Sequence, residues 1–145
     1  MDRFETFSLA LFHISRYWNK IAADEMKQYG LKGSHAFYLV TILRNDGEIT
    51  AGQLCELCGK DKADVSRAVA TMEDKNMLQR VGPNPYRARL RLTESGRSAA
   101  ESVRQTANLI VDRVGSDLTP ESREVFYKAL GSITANLEKL CKEGM

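Results

Sequence analysis

Thr50-Ala-Gly-Gln-Leu-Cys-Glu-Leu-Cys-Gly59, followed at once by Lys60-Asp-Lys-Ala-Asp-Val-Ser-Arg-Ala-Val-Ala-Thr-Met-Glu-Asp-Lys-Asn76, is the stretch that decides the fold. Thr50 and Gln53 have the spacing of a capping box, in which each side chain satisfies an amide at the start of a helix. Leu54, Leu57 and Cys58 then fall on one face, and Gly59 ends the helix after two turns. Asp61 is placed to cap a second helix, whose apolar positions Val65, Ala68, Val69 and Met72 keep helical spacing. Lys75-Asn76 closes it, because asparagine tolerates the left-handed backbone. Two short helices joined by a tight glycine-containing turn predict a helix-turn-helix.

Upstream, Ser34 is placed to cap a helix running to about Asn45, with Ala36, Leu39, Val40 and Leu43 apolar, and Asp46-Gly47 is a turn signal. Downstream, Met77–Val81 and Tyr86–Leu92 flank Gly82-Pro-Asn-Pro85. The second run alternates, with Tyr86, Ala88, Leu90 and Leu92 on one face and Arg87, Arg89 and Arg91 on the other. A β-hairpin with an arginine-lined outer face is expected.

Long helices flank this centre. Phe4, Phe7, Leu11, Ile14, Trp18 and Ile21 make a heptad-like seam that stops near Gly30. Thr93 opens a helix from Glu94 to Asp117 with Val103, Ala107, Ile110 and Val114 on one face. Thr119-Pro-Glu121 starts another, carrying Phe126, Leu130, Ile133, Leu137 and Leu140. These seams have more apolar surface than a small centre can cover, so a homodimer with a helical interface is expected. The fold class is mainly α with a small β-hairpin wing, a winged helix-turn-helix with N- and C-terminal helical arms. Its parts are a dimerisation helix over 1–30, the DNA-binding centre over 31–93 and C-terminal dimerisation helices over 94–145.

The net charge of +2 is unevenly placed. Residues 1–49 are neutral and 94–145 sum to −1, whereas 50–93 carry eight Lys and Arg against five acids. A polyanion suits that middle segment. In a helix-turn-helix the second helix presents its N-terminal residues to base edges. Here Lys62, Ala63, Asp64, Ser66 and Arg67 are left on the outer face once Val65 turns inward. Arg67 can pair bidentately with guanine, Ser66 can bond base or phosphate, and Ala63 suits a thymine methyl. Lys60 and Lys62 are expected on phosphates, with Arg87 and Arg89 as wing contacts. Asp64 has three readings: accepting from cytosine, reaching back to the Asp61 amide, or orienting Arg67. Arg91 is expected to pair with an acid at the hairpin base.

In Leu31-Lys-Gly-Ser-His-Ala-Phe-Tyr-Leu39, Ile49–Gly59, Val65–Lys75 and Leu92-Thr-Glu-Ser-Gly96, taken in order and spacing, the chain resembles the MarR family of dimeric transcription regulators. The resemblance implies lobes that read a palindromic operator, with repression as the usual output. It also implies a small, often aromatic, ligand that weakens DNA binding, and His13, Tyr17, His35 and Tyr38 lie on segments that would flank its cleft. Two positions depart from the family pattern. Its wing Asp-x-Arg falls on Asn84 and Tyr86, which passes the arginine role to Arg87 or Arg89. The glycine usual after the recognition helix is Asn76.

Cys55 and Cys58 form C-x-x-C inside the short helix, with no second pair of ligands at zinc spacing, and are read as small buried apolar residues. Cys141 could pair across a dimer axis, which a reducing cytosol disfavours. No nucleophile–base set or phosphate-cradling loop is present, so neither enzymatic activity nor a cofactor or metal is expected. Double-stranded DNA, a second copy of the chain and a small effector are the expected partners. No apolar run reaches membrane-spanning length and no signal peptide is visible, so a cytoplasmic location is expected. Two other readings stay open: a winged-helix module that binds protein, and a cysteine- or metal-responsive form of the same regulator.

Overall fold

In the computed structural model residues 1–145 are described, except for the side chain of Tyr86. The chain forms α1 (Arg3–Met26), α2 (His35–Arg44), α3 (Ala51–Cys58), α4 (Lys62–Asp74), β1 (Leu78–Val81), β2 (Arg89–Leu92), α5 (Glu94–Val114) and α6 (Pro120–Glu143). It divides into two compact units, Met1–Gln105 and Thr106–Met145, with α5 running across the division.

The local signals that hold are the ones closed by a side chain. Asp2 and Glu5 make a capping box at α1. Thr50 accepts from the Gln53 amide at 3.2 Å, and the Gln53 side chain accepts from Thr50 N–H at 2.9 Å. Asp61 accepts from the Asp64 amide at 2.8 Å, and Thr119 from the Ser122 amide at 3.1 Å. Gly30, Gly59 and Asn76 all take the left-handed backbone, Asn76 at φ 56°.

Around them α2, α3 and α4 pack on one another, with β2 against α2 and β1 against α4. Their core is built on Met26, Tyr38, Leu39, Ile42, Leu54, Val65, Val69, Met72 and Leu90. The two strands are antiparallel, Leu78 opposite Leu92 and Val81 opposite Arg89. Thr50 bridges Arg89 as a third, one-residue strand, and Leu90 donates to the Ile49 carbonyl at 2.8 Å. The wing is thereby tied to the first residue of the helix-turn-helix.

Five expectations are corrected. Ser34 does not cap α2: its backbone is already helical and its side chain accepts nothing there, because the chain enters α2 from a turn in which the His35 amide donates to the Lys32 carbonyl. The second strand begins at Arg89, not Tyr86, since Pro85–Arg87 form a single 3-10 turn. Arg87 therefore sits in the turn, off the strand face. Leu57 is exposed; the inward side of α3 is Ala51, Leu54, Cys55 and Cys58. α5 ends at Val114, three residues early, in a turn through Gly115. Val114 is exposed, and the buried stripe of α5 is instead Gly96, Ala99, Ala100 and Val103. No helix is long and apolar enough to cross a membrane.

Candidate nucleic-acid interface

α4 is presented by its own cap and by the core beneath it. With Val65, Ala68, Val69 and Met72 buried, the helix cannot rotate, and Lys62, Ala63, Ser66 and Arg67 are held on the outside. Lys60 and Asp61 precede it, also exposed. Ala70, one turn beyond Arg67, extends the exposed face; its spacing of 3 and 4 from Arg67 and Ser66 was the available signal. Arg87 and Arg89 are exposed as well, Arg87 in the wing turn and Arg89 on the outer face of β2. Among the described residues neither forms a close ion pair with an acid, and the same holds for Lys60 and Lys62, although Lys60 is near enough to Asp64 to help lower its carboxyl. This leaves a surface on which cations are only partly offset by neighbouring acids. Arg80 differs: its guanidinium lies 2.8 Å from Glu73 and ties β1 to α4.

Arg91 does not pair with an acid among the described residues. Its guanidinium lies over Gly47, where a Cβ would come within 3.4 Å of it. The acid nearest the hairpin base, Asp46, accepts from the Leu92 amide at 2.8 Å and pairs with Arg97 instead.

Asp64 is placed between two partners. Its Oδ2 accepts from the Tyr38 hydroxyl, and its Oδ1 lies 3.8 Å from Arg67 Nη2. It does not reach the Asp61 amide; the Asp61 carboxylate accepts from the Asp64 amide. The Tyr38 hydrogen bond first, then Arg67, holds the Asp64 carboxyl below its ordinary value. Burial, reinforced by Asp64, pushes the Tyr38 phenol well above its ordinary value. No spacing rule connects two residues on different helices 26 positions apart, which is why the pair was not legible in the sequence.

His13, Tyr17, His35 and Tyr38 divide into two pairs. His13 and Tyr17 are exposed on α1 with ring centroids 6.1 Å apart. His35 and Tyr38 are buried and stacked, at 6.1 Å and 26°. No ring contact joins the pairs among the described residues. A cavity of about 600 Å³ lies elsewhere, lined by Tyr29, Lys75, Met77, Ser98, Ala99 and Ser102 among others.

Cys55 and Cys58 are half-buried rather than fully buried, Cys55 Sγ donating to the Lys60 carbonyl at 2.7 Å, and Cys141 is exposed. Among the described residues no group of three or more His, Cys, Asp and Glu is gathered for a metal ion.

His35 sets an expected pH dependence. Burial lowers its pKa from 6.5, Lys32 adds to that, and Asp64 opposes it. Its Nδ1 has no hydrogen-bond partner among the described residues. A lowered histidine pKa means that the unfolded chain binds more protons than the folded one below pH 6.5. The folded state therefore has its full stability above about pH 6.5 and loses stability as pH falls from there to the lower folded value, below which both states are protonated and the loss levels off. The denaturant midpoint at pH 5 should accordingly lie below that at pH 7.5, and His35→Gln should remove most of the difference. Asp64 does not contribute in that window, because its lowered carboxyl costs stability only at more acidic pH.

The segment 29–89 matches the family model described as MarR family. None of the curated protein sequences matches the chain. Among solved structures, a MarR transcriptional regulator from Methanosarcina mazei is similar over 94% of this chain and 99% of that one, at 22% identity and a TM-score of 0.79. A putative MarR family regulator from Listeria monocytogenes, solved with a 26mer DNA, is similar over 100% and 97%, at 20% identity and 0.81. A Staphylococcus aureus MepR–DNA complex is similar over 94% and 99%, at 19% identity and 0.81. The segment that holds the helix-turn-helix and the start of the second wing strand is thus similar to the MarR family, and the fold is shared along nearly the whole chain with solved structures of that description.

Proposed function

We propose that the protein is a transcription regulator that binds duplex DNA as a homodimer and acts as a repressor by occupying its operator. The observation that carries this is the exposed N-terminal face of α4, with Lys60, Lys62, Ser66 and Arg67 on the same compact unit as Arg87 and Arg89. Structural neighbours of the same fold have been solved with DNA, which supports the reading. Lys60, Lys62, Arg87 and Arg89 supply affinity through phosphates, and Arg67 with Ser66 and Ala63 supplies base preference. Asp64 serves as a positioning group for Arg67. The site would be a pseudo-palindrome with half-sites about one helical turn apart.

The second copy of the chain is supported by two uncovered seams. α1 leaves Phe7, Leu11, Ile14, Trp18 and Ile21 exposed, and α6 has no buried residue at all. Helices with such apolar faces are stabilised by covering them rather than by propensity.

Roles separate by salt and by sequence. Arg67→Ala should relax preference at one base per half-site by about 1–3 kcal/mol, with little change on scrambled duplex. Arg89→Ala should weaken binding to selected and scrambled duplex alike and lower the salt slope by about one charge. Gel shifts at graded salt, on a duplex selected from a randomised library, read both. Equal losses on both duplexes for both variants would reverse the assignment. A wild-type chain that retards no duplex at low salt would favour a protein-binding winged helix.

A further inference from the structure

We propose that Tyr38, buried in α2, is a specificity-determining positioning residue that keeps Arg67 available to the DNA by occupying one oxygen of Asp64. The inference rests on the DNA-binding reading above.

Three observations converge. Tyr38 is 1% exposed, so its ring is fixed by the core and its hydroxyl can point in one direction only. That hydroxyl donates to Asp64 Oδ2. The Asp64 backbone is itself fixed, its amide bonded to the Asp61 cap at 2.8 Å. The carboxylate is therefore anchored at both ends, and only Oδ1 faces Arg67.

A guanidinium and a carboxylate attract most strongly as a two-toothed fork that engages both oxygens. Arg67 lies one turn after Asp64, close enough to form such a fork, yet Nη2 stays 3.8 Å from Oδ1 with the Arg67 side chain 66% exposed. The long separation follows from the occupied oxygen. Arg67 is restrained near the N-terminus of α4 but not captured, and its own two-toothed face remains free for guanine. Remove the phenol oxygen and Oδ2 becomes free. Asp64, still charged, can then swing onto Arg67 and compete with the base.

This predicts a loss that a second substitution repairs. Discrimination is read by binding-site selection from a duplex library with a randomised core, then by titrating the selected duplex and its single-base variants. Tyr38→Phe should lose about tenfold of the preference at the base read by Arg67, with binding to scrambled duplex unchanged. Adding Asp64→Asn in the Tyr38→Phe background should return most of that preference, because a neutral amide does not capture the guanidinium. A role for Tyr38 in packing alone would lower both kinds of binding together and would not be repaired at position 64.

If Tyr38→Phe does not fold at assay temperature, Asp64→Glu provides the same test, since the longer acid leaves the phenol and keeps its charge beside Arg67. Unchanged discrimination in Tyr38→Phe overturns the inference, as does a loss that Asp64→Asn fails to repair. A wild-type chain that selects no sequence overturns the DNA reading itself, a separate outcome.

Discussion

Leu130→Asp combined with Leu137→Asp should convert the proposed dimer of two 16.3 kDa chains into monomers at micromolar concentration and lower affinity for the selected duplex by at least about a hundredfold. Leu130 and Leu137 are one heptad apart in α6 and remain 42% and 43% exposed, with Phe126, Ile133 and Leu140 on the same seam. A carboxylate placed in an apolar contact costs several kcal/mol unless it is paired. In a two-fold interface every substitution occurs twice, so the double variant introduces four charges. Affinity falls with the dimer because a palindrome binds two heads at once, the second at high effective concentration. Sedimentation velocity and gel shift on one sample check both parts. The control is Lys128→Asp, which removes an exposed partner of Glu124 on α6 and should leave the dimer intact, since exposed ion pairs contribute at most about 1 kcal/mol. A double variant that still sediments as a dimer would place the interface elsewhere.

The elements that were legible in the sequence are those closed by neighbours in the chain. Thr50 with Gln53, and Asp61 with the Asp64 amide, are satisfied within one turn, so spacing suffices to find them. Ser34 failed for the same reason in reverse: a cap needs extended backbone, and the Lys32–Ser34 turn had already made that residue helical. Alternation from Tyr86 to Leu92 is necessary for a strand but does not say where pairing starts. Pairing starts at Arg89, where Thr50 and Ile49 supply the other edge from a distant part of the sequence. Leu57 shows a related limit, since in a two-turn helix the spacing of Leu54, Leu57 and Cys58 fits more than one face. At the site, exposure of Lys62, Ser66 and Arg67 followed from Val65 and Val69 turning inward. The Tyr38–Asp64 bond was invisible because it joins two helices. That Tyr38 is buried with its hydroxyl on Asp64 is decided by what α4 places over it.

Gly96→Ala should destabilise the fold by about 3 kcal/mol, the upper end for overpacking, although alanine is the better helix former. A Cβ built on Gly96 would sit 1.9 Å from the Met77 carbonyl oxygen and 2.8 Å from its carbon. Both are backbone atoms, so no rotamer relieves the clash. The position is also stitched. Met77 O accepts the Thr93 amide at 3.0 Å, Thr93 Oγ1 donates to the Asn76 carbonyl at 2.8 Å, and the Gly96 amide donates to Thr93 Oγ1 at 3.1 Å. Moving α5 outward breaks this set, which joins the end of α4, the start of β1 and the start of α5. The α4 terminus would be released with it, so binding to duplex should weaken in proportion to the loss of folded chain. Gly52→Ala is the matched control: its Cβ would meet only Thr50 Oγ1 at 3.8 Å, and helix propensity should make it neutral or stabilising by up to about 1 kcal/mol. Denaturant titrations at fixed protein concentration, which holds the dimer term constant, compare the two. A Gly96→Ala midpoint equal to that of Gly52→Ala would mean that α5 rides farther from β1 than 1.9 Å implies, and that the stripe of Gly96, Ala99, Ala100 and Val103 does not set the approach of that helix.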